Sequence, residues 1–267
     1  MNGNRLRKKL LHQTAGRNVP AVVQNVTEEE YALKVRIKFQ KIGPMKFLGH
    51  LDTMRYFQKA IRRAGLPAAY SGGFSPHMIM SFAAPLGVGT TSLGEYFDLE
   101  LAQTVPTAEI TKKLNDVMAE GISVVSTRRI EDGKASKAMS LVAAADYRIS
   151  FRKGKEPQIS WQDKISEFLA QPEILVTKKT KRSEKQVDLR PFIYKMECRD
   201  NEIFYMLASA SANYTKPELV TDTFFAWLGC TLMPYAYMVE RLEVYADKGT
   251  EKKHKFVTLE SLGEEIE

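Results

Sequence analysis

Cysteine is scarce in this 267-residue sequence, which contains only Cys198 and Cys230. The two residues stand far apart and outside any Cys-x-x-Cys spacing, so the sequence predicts no disulfide framework, zinc site or iron–sulfur site. Both are expected to be small, buried hydrophobic side chains. We therefore expect a protein that carries no metal and no other cofactor.

Long apolar runs and catalytic motifs are also missing. No stretch approaches the roughly 20 consecutive apolar residues of a membrane span, and the N-terminus lacks the apolar core of a signal peptide. A cytoplasmic protein is expected. The sequence has no Gly-x-Ser-x-Gly elbow and no His-Glu-x-x-His motif, and two of its four histidines, His12 and His254, lie near the chain ends. These absences favour an accessory protein over a self-contained enzyme.

Acidic residues are rare in one part of the chain. Residues 1–134 contain 19 Lys and Arg against 12 Asp and Glu, whereas residues 135–267 contain 20 of each, so the net charge of +7 comes from the first half. Within residues 31–94, Asp52 is the only acid beside nine basic residues. This imbalance predicts a polyanion or an acidic protein surface as partner, with no preference for DNA evident.

Hydrophobic periodicity predicts an α+β fold. The element order β-α-β-β-α-β over residues 31–130 recurs loosely over residues 135–247, which suggests two ferredoxin-like halves, the second irregular. Residues 1–30 are rich in Arg and Lys and are expected to form a basic, mobile arm. Residues 248–267 are expected to form a charged tail that frays from Gly263 onward.

Two basic surfaces are predicted in the first half. In the first strand, apolar residues from Leu33 to Phe39 alternate with Lys34, Arg36 and Lys38, which predicts a half-buried strand with a basic outer face. A helix over residues 50–64 follows and places its cations on one stripe. This basic ridge consists of Arg55, Lys59, Arg62 and Arg63. Cations at such spacing can follow a phosphate backbone, and the alternative is an ordinary solvated helix face.

The loop over residues 70–77 is the second candidate site. It contains two aromatic residues, Tyr70 and Phe74, and the small residues Ser71, Gly72, Gly73 and Ser75. Glycines let a backbone approach phosphate groups, and an exposed aromatic ring can stack on a base. The loop therefore predicts a phosphate-binding and base-stacking site, and the alternative is a tight turn with Phe74 in the core.

His50 and His77 are the two candidates for acid–base chemistry. His50 begins the first helix, where free N–H groups suit a phosphate, but it also falls near the apolar stripe of that helix. It is therefore either a packed structural histidine or a group that contacts phosphate. No catalytic role is assigned to either residue.

Several motifs of the first half resemble the bacterial radical-SAM-linked protein family, a domain of unknown function. They are Lys41-Ile-Gly43, Phe47-Leu-Gly-His-Leu-Asp52, Ile61-Arg-Arg-Ala-Gly-Leu-Pro67, Tyr70-Ser71, Gly73-Phe-Ser-Pro-His77, Pro85-Leu86 and Gly94-Glu95. The likeness is dense over residues 33–102 and thinner around Val187-Asp-Leu-Arg-Pro191 and Lys216-Pro-Glu218. It implies a radical SAM enzyme as partner and hints at RNA. The chain lacks the Cys-x-x-x-Cys-x-x-Cys motif and so is not expected to be the radical enzyme itself.

Three functions remain open from the sequence. The first is a non-catalytic protein that binds RNA or presents a substrate to a radical SAM enzyme in RNA modification or maturation. The second is an adaptor that contacts only protein. The third is a metal-independent ribonuclease in which His50 or His77 acts as general base and Arg62 or Arg63 stabilises the phosphorane.

Overall fold

Strands and helices alternate along the chain, and strands dominate. A computed structural model describes residues 33–131, 133, 137–179, 184–250 and 253–267. The strands are β1 (Leu33–Lys41), β2 (Met80–Phe82), β3 (Thr91–Leu101), β4 (Ile122–Arg129), β5 (Val142–Phe151), β6 (Leu175–Lys179), β7 (Glu184–Asp188), β8 (Ile193–Arg199), β9 (Glu202–Ala208), β10 (Tyr237–Asp247) and β11 (Phe256–Thr258). The helices are α1 (His50–Arg63), α2 (Thr107–Asn115), α3 (Ala138–Leu141), α4 (Ile165–Leu169) and α5 (Pro217–Trp227). The predicted α+β class is confirmed, while the predicted basic arm of residues 1–30 lies outside the described residues.

A nine-stranded mixed sheet runs through both halves of the chain. Its main path is β4-β1-β3-β10-β5-β9-β8, with β2 paired to β3 and β11 paired to β10. Neighbouring strands are antiparallel except β3 and β10, which run parallel. Strands β6 and β7 form a separate hairpin.

The strands of each half have the same spatial order. In the first half β4 flanks β1, β1 flanks β3, and β2 lies on the far side of β3. In the second half the order is β10-β5-β9-β8. When the β6–β7 hairpin and β11 are left aside, each half places its last strand beside its first, followed by its third and second.

The two halves meet where β3 pairs with β10, and the join is narrow. Only two residue pairs of β3 and β10 are in register, Thr91 with Glu240 and Ser92 with Arg241. A Cβ atom at Gly94 would lie 2.7 Å from the carbonyl oxygen of Leu242 on β10, so only glycine permits this close approach. Strand β3 reaches this join because it begins at Thr91.

Helix α1 packs its apolar stripe against β1 and β3. Phe57 and Ile61 are completely buried, and the burial of each contributes about 1.5–3 kcal/mol. Helix α1 ends at Arg63, and Gly65 follows with a φ of +64°, a conformation that glycine adopts without strain. The predicted helix over residues 50–64 is thus confirmed, with its last helical residue at Arg63.

The C-terminal segment returns to the first half. Arg129 and Glu264 exchange backbone hydrogen bonds of 2.8 and 3.0 Å, and the Ile266 carbonyl accepts the backbone N–H of Thr107 at 3.0 Å. The expectation that the chain frays from Gly263 onward is therefore wrong, because these residues extend the hydrogen bonding of β4 and the start of α2. None of the helices in the described parts of the chain is long and apolar enough to cross a membrane.

Candidate nucleic-acid interface

Strand β1 does not offer the basic outer face that its sequence predicts. Arg36 is 1% exposed, and its Nε lies 2.8 Å from Asp98 Oδ1 on β3. The Arg36 Nη1 donates to the carbonyl oxygen of Leu259, and Asp98 Oδ2 accepts the backbone N–H of Ala138. Lys34 is buried as well. The C-terminal segment and α3 cover this face, so Lys34 and Arg36 are not available to a nucleic acid.

Lys38 is held in the same polar layer. Its Nζ lies 2.6 Å from Glu243 Oε2 and 2.6 Å from Glu260 Oε1. Burial disfavours the charged form, but the hydrogen bonds to the two carboxylates outweigh it and raise the pKa of Lys38 above its usual value. The lysine therefore serves as an internal counter-ion.

The basic ridge of α1 is exposed as predicted, and its cations are bound only weakly to the protein. Arg55, Lys59, Arg62 and Arg63 all lie at the surface. The Arg55 guanidinium lies 3.5 Å from Asp52, with both side chains more than 60% exposed. Arg63 donates to the carbonyl oxygen of Val117 at 3.2 Å. Exposed pairs of this kind contribute at most about 1 kcal/mol to stability, so these cations can exchange their partners for a phosphate group.

Residues 69–79 form a hairpin, named here the Phe74 hairpin. The Ser71 N–H donates to the His77 carbonyl and the Ile79 N–H donates to the Ala69 carbonyl, both at 2.9 Å. At the tip, Gly73 adopts a φ of +99°, which favours glycine. The tight turn is therefore present as the alternative interpretation expected.

Phe74 lies outside the core, contrary to that alternative interpretation. Its side chain is fully exposed at the tip, beside the exposed Gly72, Gly73 and Ser75. The hydroxyl of Ser71 is occupied within the hairpin: it lies 2.8 Å from His77 Nδ1 and accepts the His77 backbone N–H at 3.1 Å. Within the described parts of the chain nothing covers this ring, so it is free to stack on a ligand.

The hairpin joins the basic ridge through Tyr70. Arg62 Nε donates to the Tyr70 hydroxyl at 3.4 Å, and Tyr70 is adjacent to Ser71, which binds His77. The structure thus links the Phe74 hairpin to α1 through Arg62 and Tyr70.

His50 belongs to a different environment. It is half-buried with its ring centroid 5.3 Å from that of Phe82, in an edge-to-face contact. It also lines a small cavity of about 10 Å³ with Lys41, Thr53 and Glu95. The contacts of His50 and His77 share no residue, so the two candidates do not form one acid–base pair.

A buried ionic cluster beside His50 escaped the sequence analysis. Arg241 donates to Glu95 through Nε at 2.7 Å and through Nη2 at 2.5 Å, and both side chains are almost fully buried. Lys41 lies near this pair with its Nζ donating to the Leu48 carbonyl at 3.0 Å, and burial lowers the pKa of Lys41. Glu95 and Arg241 are 146 residues apart, so no local pattern could have indicated their contact. Lys41 could have been suspected, because a charge there ends an otherwise apolar face of β1.

The described residues include no group of three or more His, Cys, Asp or Glu side chains placed to hold a metal ion.

The fold and the surface define an α+β protein with a basic helix beside a hairpin tipped by an aromatic residue. The chain belongs to a bacterial family described as an uncharacterized conserved protein, DUF2344, whose profile matches residues 34–217. This match includes the basic ridge and the Phe74 hairpin. No curated protein matches the chain.

Proposed function

We propose that this protein is a non-catalytic RNA-binding protein that holds a single-stranded segment on the basic ridge and the Phe74 hairpin. The observation that carries the proposal is the fully exposed ring of Phe74, on a hairpin that is hydrogen-bonded to the ridge through Arg62 and Tyr70. Stacking of a base on an aromatic side chain is worth about 1–3 kcal/mol and accepts any base. The ridge adds charge contacts to the phosphates.

The number of cations on this surface sets the expected salt dependence. With Lys34 and Arg36 buried and Lys38 bound to Glu243 and Glu260, four cations remain on the ridge. Single-stranded nucleic acids show a slope of about −0.7 in log K against log salt for each phosphate contact, so four contacts give about −3. Discrimination between sequences should be small, because neither stacking nor phosphate contacts read base identity.

We propose as partner a radical SAM enzyme, to which the chain presents its RNA for modification or maturation in the cytoplasm. The support is the resemblance of residues 33–102 to radical-SAM-linked proteins. We further propose that the two halves are ferredoxin-like units. The support for this is the shared strand order, with the last strand beside the first in each half.

The test is binding of a labelled single-stranded RNA across a salt series in EDTA. The variants are Arg62→Glu/Arg63→Glu and Phe74→Ala, and the matched control is Lys112→Glu/Lys113→Glu, which reverses two exposed charges on α2. We expect the ridge variant to weaken binding strongly and to make the salt slope shallower. Phe74→Ala should weaken binding about fivefold or more. The α2 control should bind as wild type.

Two results would replace this proposal with one of the alternatives. RNA cleavage in EDTA that disappears in His77→Ala or His50→Ala would identify a ribonuclease. Absence of RNA binding at low salt, with copurification of a radical SAM enzyme that survives nuclease and is lost in Phe74→Ala, would identify a protein adaptor.

A further inference from the structure

A cleft of about 700 Å³ opens between the two halves, away from the Phe74 hairpin. One wall is the 3-10 turn Gly43–Phe47 with residues 88–90, and the other consists of α5 and residues 230–239. The volume falls within the usual range for pockets that bind small ligands. Buried Phe225 and Val239 contribute to its lining, and Phe47 and Tyr235 expose most of their side chains at its rim.

The charged groups of this cleft carry both signs, and most of them lack partners. Lys46 and Arg152 have no ion pair within the described parts of the chain, although Lys46 Nζ lies 5.3 Å above the ring of Phe47. Glu218 is half-buried in the cleft and has neither an ion pair nor a hydrogen bond to its carboxylate among the described residues. Asp222, one turn further along α5, accepts the Tyr237 hydroxyl at 2.8 Å. Unpaired charges of both signs beside aromatic rings suit a ligand that has a ring, an anionic group and hydrogen-bond donors.

Tyr235 is held in an unfavourable backbone conformation at this rim. Its φ is +56°, in the left-handed region that bulky side chains rarely adopt. The other described non-glycine residues with positive φ, Asp200 and Asn201, form the tight turn between β8 and β9, where such values are usual. Tyr235 follows Pro234 in a β-turn closed by the Ala236 N–H and the Met233 carbonyl at 3.1 Å, at a position that requires a positive φ and usually holds glycine. A tyrosine is strained there, and this one is 84% exposed. Strain of this kind concentrates at binding sites.

We propose that the cleft binds a purine nucleotide, with guanine as the preferred base. Guanine presents two neighbouring donors, N1–H and N2–H₂, which match the two oxygens of the Glu218 carboxylate. The base stacks against Tyr235, and the phosphate contacts Lys46 and Arg152. The ligand is either a free nucleotide or an unpaired nucleotide of an RNA chain, because both offer the same groups.

The cleft and the Phe74 hairpin have no residue in common, so the two proposals can fail separately. The experiment is calorimetric titration of the full chain with GMP and with UMP at low salt in EDTA. We expect saturable GMP binding about tenfold tighter than UMP binding, because uracil offers one donor to a carboxylate where guanine offers two. Competition with an oligonucleotide that contains one unpaired guanosine then shows which ligand the cleft prefers. If the oligonucleotide displaces GMP at a concentration below that of GMP itself, the ligand is RNA. If it does not displace GMP, the ligand is the free nucleotide.

Two variants separate binding from folding. Tyr235→Gly removes the ring and relieves the strained conformation, so its Tm should equal or exceed that of wild type while GMP affinity falls about tenfold or more. Glu218→Gln should lower the preference for GMP over UMP, whereas Glu167→Gln on α4, outside the cleft, should leave it unchanged.

Phe74→Ala serves as the control for the hairpin and should keep full GMP affinity even where RNA binding is weakened. The inference is overturned if GMP does not saturate the protein, or if Tyr235→Gly binds GMP as tightly as wild type. Equal affinity for GMP and UMP that Glu218→Gln leaves unchanged would overturn the assignment of guanine.

Discussion

Arg36 and Asp98 show how a charge that looks solvent-facing in the sequence is used inside the protein. The two side chains are 1% and 3% exposed, and they come from neighbouring strands. A buried ion pair contributes little net stability compared with apolar side chains of similar volume, but loss of one partner leaves an uncompensated charge. Arg36 is therefore a structural residue, whereas Arg55 on α1 is a surface residue with the same chemistry.

Arg36→Met should lower the free energy of unfolding by about 3–5 kcal/mol, because Asp98 is left buried without its cation. Arg55→Met removes a cation of an exposed pair and should cost less than about 1 kcal/mol. Urea unfolding of both variants measures the difference. Equal effects of the two substitutions would contradict the burial of Arg36.

At the scale of elements, the Phe74 hairpin depends on the backbone of its tip. Gly73 has a φ of +99°, whereas Gly72 does not have a left-handed φ, and a Cβ atom at either position would meet nothing within 4 Å. Alanine at position 73 and alanine at position 72 therefore differ only in the backbone strain that each substitution introduces. The neighbouring glycines form a matched pair for testing whether the turn positions Phe74.

Gly73→Ala should destabilise the hairpin by about 1–3 kcal/mol, because alanine is strained at this φ. Hydrogen exchange of the Ser71 and Ile79 amides, which close the hairpin, should accelerate about fivefold or more. RNA affinity should fall in parallel. Gly72→Ala is the control, and an equal acceleration in both variants would show that the turn does not depend on the backbone conformation of Gly73.

For the whole molecule, the continuous sheet predicts that the halves unfold together. The two halves share the β3–β10 pairing and the buried Glu95–Arg241 ion pair. The only tryptophans, Trp161 and Trp227, both lie in the second half. Tryptophan fluorescence therefore reports on one half, while circular dichroism reports on both.

Phe57→Ala empties a buried position of α1 in the first half and should cost about 3–5 kcal/mol. If unfolding is one cooperative transition, the fluorescence midpoint of the second half shifts as far as the circular dichroism midpoint. A fluorescence transition that stays at the wild-type midpoint would show that the halves unfold independently. Phe74→Ala is the control, since its exposed ring should leave both midpoints unchanged.

Much of the local structure follows from local pattern. The apolar stripe of α1 and the glycine after it predicted the helix, because amphipathic spacing and a left-handed C-terminal residue act within a few positions. The turn of the Phe74 hairpin was the alternative that the paired glycines left open beside a phosphate-binding loop. The exposure of the basic ridge also followed from its position on the helix.

Contacts between distant residues decided the rest. The alternation of Lys34, Arg36 and Lys38 is equally compatible with a solvated face and with a buried polar layer. The choice depends on Asp98, Glu243 and Glu260, which lie 62 to 222 residues from their partners. The cleft likewise exists only because α5 and residues 230–239 fold against the turn after β1. Periodicity records which side of a strand is polar, but whether that side meets water or another part of the chain is determined by tertiary packing.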